Sequence, residues 1–494
     1  MGRRSLGLAM AFGLLRALAA PIAHADAPPN LIVVVLDDIG IDRVGAFGSA
    51  TSGPTPHIDA LAAQGVRFDR FWAQPVCSPF RASALTGLEP WQHGVGSVIF
   101  PDGEARAIGL DPNADTIAKR LRAAGYRTEA IGKWHLAGDP VPTGLHPLLS
   151  GFDHHRGTLG NPADSGGNYS RYVKCRDGSC WMREHRPYLT TDTTNDAIDV
   201  LYGSEPFFLW LAFNAAHVPL HVPPPYLHSF AVSNCFATPA TKVECSKAIT
   251  EAVDRELGRF LTYVDWSTTT VIVVSDNGTS ANVLEPPDPD RGKATLYESG
   301  IHTPLIVRGS AVAPGAVGGV SHALVQASDL FATVLELAGL GDAPPSSISF
   351  AAQLVDPAAP SARTHAFAET FTPNGGPPDP SRKHGRAVRD DRYKLIEWAQ
   401  DDERRIEMYD LGGSAPDVDE TNDLLAGGPL DASESAALAT LTRALATTGA
   451  LPVPSATLAS PSGAAGAAAL LALGSALATA RRERARRARR RARD

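Results

Sequence analysis

Short runs of consecutive apolar residues recur along the first two thirds of the chain and alternate with segments of helical periodicity. The apolar runs occupy residues 31–36, 129–132, 207–213, 271–274 and 305–307. Helical patterns lie between them at 58–64, at 116–124 behind a predicted Asp115 cap, at every fourth residue from Ile249 to Leu261, and at 329–338. Strands that are apolar throughout and alternate with helices indicate a mainly parallel sheet covered on both faces. The pattern therefore predicts an α/β fold with one large, mainly parallel mixed sheet sandwiched by helices.

The pattern changes near residue 364. Short strand patterns at 387–389, 393–398 and 406–409 lie between turns rich in Gly, Asp and Pro, which predicts a smaller antiparallel sheet. A linker rich in Pro, Ala and Ser, residues 343–360, precedes it. We therefore expect a main domain over 28–345 and a C-terminal α+β subdomain over 360–445. Two segments, 140–187 and 222–241, are predicted to be long loops of the kind that often carry specificity.

The N-terminal end has the composition of a targeting segment. Arg3 and Arg4, an apolar stretch at 6–22 and the sequence Ala23-His24-Ala25 predict a signal peptide over 1–25. The paired arginines leave Sec and twin-arginine export both open, and a helical N-terminal arm is the alternative. We expect an exported protein of the periplasm, the cell surface or the extracellular space.

The C-terminal end, residues 446–494, consists of a linker, an apolar span at 463–480 and a cluster of nine arginines. An apolar segment of this length followed by arginines predicts a membrane anchor with its basic end in the cytoplasm. The order of features also resembles bacterial sorting tails, which can be removed after export. The alternative is a soluble helix with a basic tail. A membrane or sorting contact through this tail is therefore expected.

The net charge and the cysteine content indicate which partners and which cellular compartment the protein can have. The formal net charge is −8, and since both ends are basic the body between them is more acidic still. Such a body is a poor match for phosphate backbones, so nucleic acid is excluded as a main partner. Five cysteines fit an exported protein with two short-loop disulfides, for which Cys175, Cys180, Cys235 and Cys245 are the candidates. Cys77 is left over.

Polar residues follow four of the predicted strands. Asp37 and Asp38 follow 31–36, Lys133 and His135 follow 129–132, Asn214 and His217 follow 207–213, and Asp276 and Asn277 follow 271–274. In open α/β sheets, ligands bind beyond the carboxyl ends of the strands. Each residue alone could be a helix cap, a turn residue or a solvated surface charge. Four such strand ends together predict a site at one edge of the sheet.

The residue types at this edge suggest a metal ion and an anion. Four of them offer only oxygen, which suits a hard divalent cation: Asp37, Asp38, Asp276 and Asn277. We expect Ca²⁺ rather than Mg²⁺, because Ca²⁺ tolerates ligands gathered from distant strands, and we exclude zinc, which prefers nitrogen and sulfur. A basic set beside it would hold a tetrahedral oxyanion: Lys133, His135, His217 and Lys293.

The unpaired cysteine begins the sequence Cys77-Ser78-Pro79-Phe80-Arg81, which Leu85-Thr86-Gly87 follows. With this C-x-P-x-R pattern the chain resembles the type I, arylsulfatase-like sulfatases of the alkaline phosphatase superfamily. The resemblance spans residues 30 to about 424 and includes motifs at 55–59, 132–136, 292–300 and 409–411, with Asn422. It implies an alkaline phosphatase-like fold, with 28–345 as the catalytic domain.

The resemblance also implies a role for each site residue. A formylglycine-generating enzyme would oxidise Cys77 to formylglycine (3-oxoalanine), whose hydrate attacks the sulfur of a sulfate monoester. Ca²⁺ would activate the formylglycine hydrate, and Arg81 would stabilise the hydrate and its charge. Lys133 and Lys293 would bind sulfate oxygens together with His217. His217 would protonate the leaving alcohol, and His135 would take the proton of the second hydroxyl to expel sulfate. The implied substrate is a sulfated small molecule or glycan.

Some positions depart from the family pattern. Phe80 stands where a small residue is common and is expected to shape the pocket wall, while Ser299 and His302 replace residues that are more often Gly and Arg. Thr158 is a further candidate polar ligand that we do not assign. Two other functions remain open: a phosphodiesterase or phosphonate monoester hydrolase of the same superfamily, and a non-catalytic surface protein that binds anions or glycans.

Overall fold

The computed structural model describes residues 28–100, 108–138, 143–184, 187–285, 288–375, 383–400, 403–412 and 417–448. Within these residues the strands, in chain order, are β1 Asn30–Leu36, β2 Val66–Phe68, β3 Phe71–Trp72, β4 Arg127–Lys133, β5 His154–Thr158, β6 Arg171–Arg176, β7 Ser179–Glu184, β8 Phe207–Ala212, β9 Thr269–Ser275, β10 Leu305–Gly309, β11 Gly319–Ser321, β12 Val325–Gln326, β13 Ala366–Phe371, β14 His384–Arg389, β15 Tyr393–Gln400 and β16 Glu403–Asp410.

Helices connect these strands. The α-helices are α1 Pro56–Ala63, α2 Cys77–Thr86, α3 Pro90–His93, α4 Ile117–Ala123, α5 His146–Leu149, α6 Leu189–Leu201, α7 Pro239–Leu261, α8 Glu298–Ile301, α9 Asp329–Leu337, α10 Ala352–Val355, α11 Leu424–Gly427 and α12 Ala432–Thr447. Short 3-10 helices lie at Ile41–Arg43, Gly45–Phe47, Thr143–Leu145, Pro162–Ser165, Pro225–Leu227, Pro289–Arg291 and Pro314–Ala316.

The large sheet has ten strands in the order β11-β2-β10-β9-β1-β8-β4-β5-β6-β7. Its centre is parallel, since β1 pairs in parallel with β8 and β9, and β4 pairs in parallel with β8 and β5. Strands β10, β6 and β7 pair in the antiparallel sense. The large mixed sheet with a parallel centre is confirmed, and the carboxyl ends of β1, β4, β8 and β9 lie at the same edge.

Both faces of this sheet are buried, as the apolar strands predict. In β1 the alternate residues Leu31, Val33 and Val35 pack into one core with residues of α2, α4 and α9. Their neighbours Ile32, Val34 and Leu36 pack into the opposite core with residues of α1, α6 and α7. Because side chains alternate across a strand, a strand covered on both faces must be apolar at every position.

A separate four-stranded antiparallel sheet, β13-β14-β15-β16, forms the C-terminal part. One of its faces packs against the large unit through Trp72, Leu296 and Ile396, and the other carries α12 through Leu395 and Leu441. The three strands predicted here are confirmed. Strand β13, which the sequence pattern did not reveal, forms one edge of this sheet.

Several local predictions were wrong. The side chain that caps α4 belongs to Thr116, whose Oγ1 accepts from the Lys119 amide at 3.2 Å, and not to Asp115. The segment 140–187, predicted to be a loop, contains β5 and the hairpin of β6 and β7, which extend the large sheet. The second predicted loop, 222–241, overlaps the start of α7 at Pro239.

The predicted signal peptide over 1–25 and the predicted tail over 446–494 lie outside the described residues, apart from the end of α12. Among the residues that the structure describes, none of the helices is both long and apolar enough to span a membrane.

Candidate active site

Cys77 is the first residue of α2 and is fully buried. Its sulfur lies 3.5 Å from the ammonium nitrogens of both Lys133 and Lys293, and 3.7 Å from a carboxylate oxygen of Asp37. Burial and the negative charge of Asp37 raise the pKa of the Cys77 thiol to about 12, although the two lysines oppose this. The unmodified side chain is therefore a neutral thiol near pH 7, which is a weak nucleophile.

Arg81 lies one turn further along α2 and joins three strand ends. Its guanidinium donates to Asp37 at 3.2 Å, to Asp276 at 2.8 Å and to the backbone carbonyl of Lys133 at 2.8 Å. Arg81, Asp37 and Asp276 are all fully buried. Arg81 thereby connects the ends of β1, β4 and β9. It also supplies a buried positive charge on the helix that Cys77 begins.

The two aspartates after β1 have different partners. Asp37 pairs with Lys133 and Arg81, and Asp38 pairs with Lys293 at 2.5 Å. Burial alone would raise the pKa of Asp37, but Lys133, His217 and Arg81 hold it well below its usual range. Asp37 is therefore ionised at neutral pH.

Asp276 and Asn277 complete the acidic side of the site. Asn277 donates its amide N–H to Asp38 at 2.7 Å, and the Asp38 amide lies 3.4 Å from an oxygen of Asp276. Burial and the nearby charge of Asp37 raise the pKa of Asp276 to about 6, although Arg81 opposes this. The Oδ1 atom of Asn277 is buried and accepts no hydrogen bond from any described residue.

Lys133 ends β4, and His135 follows two residues later. Gly132 precedes them with φ at +94°, and a Cβ at this position would lie 1.9 Å from the Ala212 carbonyl of β8, so glycine is required. The ring of His135 is buried, and neither of its nitrogens has a partner among the described residues. Burial and the charges of Lys133 and Arg81 lower the pKa of His135 well below its usual value, so the ring is neutral.

His217 lies in the segment after β8, close to the aspartates. Ligand atoms of Asp37, Asp38, Cys77 and His217 all lie within 4.8 Å of one another. Burial and the charge of Lys293 lower the pKa of His217 to about 4. The structure thus brings together every residue that the sequence analysis assigned to the site. They lie after four parallel strands and on α2, except for Lys293, which lies between the 3-10 helix Pro289–Arg291 and α8.

Two of these residues have unusual backbone conformations. Asp38 and His135 both have φ at 59°, in the left-handed region that residues other than glycine rarely adopt. Aspartate and histidine are among the side chains that tolerate it best. Such conformations cost free energy and are retained mainly at functional sites, where they direct a side chain.

Tyr169 contacts the His217 segment and was not identified from the sequence, since it lies in a segment predicted to be a loop. Its hydroxyl contacts two backbone carbonyl oxygens, of Asn214 at 2.5 Å and of His217 at 2.7 Å. Its ring stacks on His221, with centroids 4.1 Å apart. Nothing in the residue pattern around Tyr169 indicated these contacts, because they depend on where the fold places the segment before β6.

Phe80 and His302, which depart from the family pattern, and Thr158 each have defined surroundings. Phe80 is fully buried and packs in the core that lies between the large sheet and α2, α4 and α9. His302 lies 3.3 Å from the carboxylate of Glu298. Thr158 ends β5 and exchanges hydrogen bonds with the amide group of Asn214.

The four other cysteines form two disulfides, Cys175–Cys180 and Cys235–Cys245. The first closes the hairpin of β6 and β7, and the second joins the segment before α7 to that helix. Cys77 is the only free cysteine.

The geometry suits a hard cation. Carboxylate oxygens of Asp37 and Asp38 approach each other closely, and the buried Oδ1 of Asn277 has no partner among the described residues. A buried carbonyl oxygen without a hydrogen bond is costly, and a cation would satisfy it. Asp276 is adjacent and shares Arg81 with Asp37. The residues present therefore fit a divalent ion held by oxygen.

Solved structures with a similar chain path define the fold class of the protein. A crystal structure of Ps i-CgsB in complex with k-i-k-neocarrahexaose superposes with a TM-score of 0.66 at 23% identity, covering 85% of this chain and 92% of that one. A protein in complex with its substrate D-glucosamine-2-N,6-O-disulfate superposes with a TM-score of 0.68 at 20% identity, covering 84% of this chain and 97% of that one. At this level of identity the likeness shows the fold, which is alkaline phosphatase-like.

The sequence comparisons identify the family within that fold. The Sulfatase family model matches residues 29–340, and the model for the C-terminal region of N-sulphoglucosamine sulphohydrolase matches residues 291–434. The chain belongs to the sulfatase family, as its motifs indicated.

Curated relatives agree with this assignment. N-acetylgalactosamine-6-sulfatase of Rattus norvegicus is 32% identical over 370 residues, and the match covers 67% of this chain and 66% of the relative. Arylsulfatase A of Homo sapiens is 30% identical, with 66% of this chain and 67% of the relative covered. The match thus spans about two thirds of the length of these relatives.

Proposed function

We propose that the protein hydrolyses a sulfate monoester to an alcohol and sulfate, with a nucleophile derived from Cys77. The observation that carries the proposal is the position of the Cys77 sulfur, 3.5 Å from both Lys133 and Lys293. Two ammonium groups at equal distance from a nucleophile can hold an anionic group on it and stabilise the charge that develops during transfer. Membership of the sulfatase family supports sulfate as that group.

The chemistry of Cys77 supports a modified side chain. As a thiol its pKa is raised to about 12, so it supplies little thiolate at neutral pH. Conversion to formylglycine by a formylglycine-generating enzyme would supply a hydrated aldehyde, whose two hydroxyl groups provide both a nucleophile and a route to expel sulfate. Asp37 lies 3.7 Å from the sulfur, so it is placed to accept a hydrogen bond from a hydroxyl group at that position.

We propose that Asp37, Asp38, Asp276 and Asn277 hold a divalent cation, Ca²⁺ in preference to Mg²⁺. The unpartnered Oδ1 of Asn277 supports this assignment, as do the neighbouring carboxylate oxygens of Asp37 and Asp38. When bound, the cation lowers the pKa of the nucleophile and balances the charges of the carboxylates. Arg81 holds Asp37 and Asp276 in place and opposes the rise in the pKa of Asp276.

The two histidines have complementary proposed tasks. His135 is neutral, and its ring nitrogens have no described partner, so it can accept a proton as the base that releases sulfate. His217 has a pKa lowered to about 4 by burial and by Lys293, and a sulfate ester bound between the lysines would raise that pKa. His217 would then donate a proton to the leaving alcohol.

The proposed substrate is a sulfated small molecule or glycan. The relatives named N-acetylgalactosamine-6-sulfatase favour a sulfated sugar. We also propose that the protein acts outside the cytoplasm, since disulfides such as Cys175–Cys180 and Cys235–Cys245 persist mainly in oxidising compartments.

Turnover of an aryl sulfate and an aryl phosphodiester on one preparation tests this proposal. The protein is produced with a formylglycine-generating enzyme, and Cys77→Ala serves as the matched inactive variant. We expect hydrolysis of the sulfate ester, lost in Cys77→Ala and in protein made without the enzyme. Preferential hydrolysis of the phosphodiester would favour the phosphodiesterase alternative. Binding of sulfated sugars without any hydrolysis would favour the surface binding protein.

A further inference from the structure

A cavity of about 250 Å³ lies next to Asp38 of the proposed site. Asp38, which pairs with Lys293, and Ala216, which precedes His217, both line it. The cavity therefore borders the segments that carry Asp38 and His217, and it reaches α7, which contributes Lys242 and Ser246 to its lining. Small-molecule pockets usually measure roughly 300–1,000 Å³, so this one has room for a single ring rather than for a long chain.

One wall of the cavity is apolar. It includes Phe236 and Val218, whose side chains are 66% and 39% exposed. Large apolar side chains this open to solvent at the mouth of a polar site suit the flat apolar face of a ring. The Cys235–Cys245 disulfide joins the residue before Phe236 to α7, so the wall is held against the helix.

The cavity also has polar lining residues, and one of them carries a charge that has no partner among the residues that the structure describes. Lys242 on α7 lines the cavity, and its side chain makes no ion pair or hydrogen bond with any residue that the structure describes. Lys247, further along the same helix, instead pairs with Glu285 at 2.8 Å. Ser280 and Asn282 line the cavity as well and supply hydroxyl and amide groups.

The lysines of the reacting centre already have anionic partners of their own. Lys133 pairs with Asp37, and Lys293 pairs with Asp38 at 2.5 Å. They also flank Cys77, where the scissile sulfate would lie. Lys242 is therefore a cation in addition to the two lysines that would bind the scissile sulfate.

Resting on the proposed function, we infer that this cavity binds the alcohol half of the substrate and that Lys242 binds a second anionic group on it. The apolar wall with Phe236 would contact the face of a sugar ring, and Ser280 and Asn282 would bond its hydroxyl groups. The substrate class is thus a sulfated sugar that carries a second sulfate or a carboxylate. Lys242 is the residue that selects it over a singly charged ester.

Matched pairs of sugars test the inference. N-acetylgalactosamine 6-sulfate is compared with its 4,6-disulfate, and N-acetylglucosamine 6-sulfate with glucosamine 2-N,6-O-disulfate, which places the second anion elsewhere on the ring. Turnover is measured in formylglycine-containing protein, and binding is measured by calorimetry in the Cys77→Ala background. Lys242→Met is compared with Lys242→Arg, which keeps the charge, and with Lys247→Met, which removes a charge from α7 outside the cavity.

We expect Lys242→Met to weaken binding and kcat/KM for at least one doubly charged sugar about tenfold, because a charge-assisted hydrogen bond is lost. The singly charged sugars and 4-nitrophenyl sulfate should change less than about twofold, since surface charges act weakly at a distance. Lys242→Arg and Lys247→Met should behave as wild type. Equal losses for singly and doubly charged sugars, or no loss, would overturn the inference.

The two proposals fail in different ways. If the protein hydrolyses 4-nitrophenyl sulfate but shows no preference for doubly charged sugars, the inference is wrong and the proposed function stands. If formylglycine-containing protein hydrolyses no sulfate ester, the proposed function is wrong. In that case the calorimetric comparison in the Cys77→Ala background still decides whether Lys242 recognises a second anion.

Discussion

Replacement of Arg81 by methionine should destabilise the protein strongly and in a manner that depends on Ca²⁺. Arg81 is fully buried and donates to Asp37 at 3.2 Å and to Asp276 at 2.8 Å. Methionine fills a similar volume but leaves two buried carboxylates without this partner. Removing one member of a buried ion pair typically costs about 3–5 kcal/mol, and we expect a loss of that order in EDTA.

Bound Ca²⁺ should reduce this loss, because the cation supplies positive charge to the same carboxylates. Urea unfolding followed by tryptophan fluorescence, with EDTA and with excess Ca²⁺, measures both effects. Arg70→Met is the control, since Arg70 pairs with Asp391 at 3.1 Å on the surface and should cost less than about 1 kcal/mol. A loss below 1 kcal/mol for Arg81→Met in EDTA, or an equal loss with and without Ca²⁺, would refute the reasoning.

Tyr169→Phe removes the hydroxyl group that contacts the His217 carbonyl oxygen. The value of kcat/KM should therefore fall about tenfold and the pH–rate profile should shift, with little change in Tm. An unchanged pH–rate profile would contradict this. Burial raises the pKa of Glu89 in the folded protein to about 8, from an unfolded value of about 4.5. Between these pH values the folded state binds the proton more tightly, so the free energy of unfolding should fall as the pH rises, by up to about 1.4 kcal/mol per pH unit. Glu89→Gln should flatten that dependence in urea titrations, and an equally steep curve would argue against it. Lys394→Met removes the buried ammonium group that pairs with Glu298 at 3.0 Å and with Glu420 at 2.7 Å, so it should cost about 3 kcal/mol, measured as a lowered Tm. An unchanged Tm would exclude a stabilising role for Lys394.

The central strands and the site were predictable because both depend on short-range patterns. A strand buried on both faces must be apolar along its whole length, so β1, β8 and β9 stand out in the sequence. The polar residues after them mark the carboxyl edge of the sheet. Cys77 was identified by its sequence motif, and its geometry between Lys133 and Lys293 agrees with the role proposed for it.

The elements that were missed depend on contacts between distant residues. The hairpin of β6 and β7 is rich in polar and charged residues and lies at the edge of the large sheet, so it lacks the apolar pattern of the central strands. Strand β2 has three residues and pairs with β10 and β11. Tyr169 and Lys242 likewise gain their proposed roles only from the folded arrangement.

The central claim is that Cys77 is converted to formylglycine and serves as the nucleophile. Mass spectrometry of the peptide that contains Cys77, from protein isolated from its native host, tests this claim most directly. We expect the mass of the aldehyde at this position, together with hydrolysis of a sulfate ester by the same preparation. Recovery of Cys77 only as an unmodified thiol from a preparation that hydrolyses sulfate esters would contradict it.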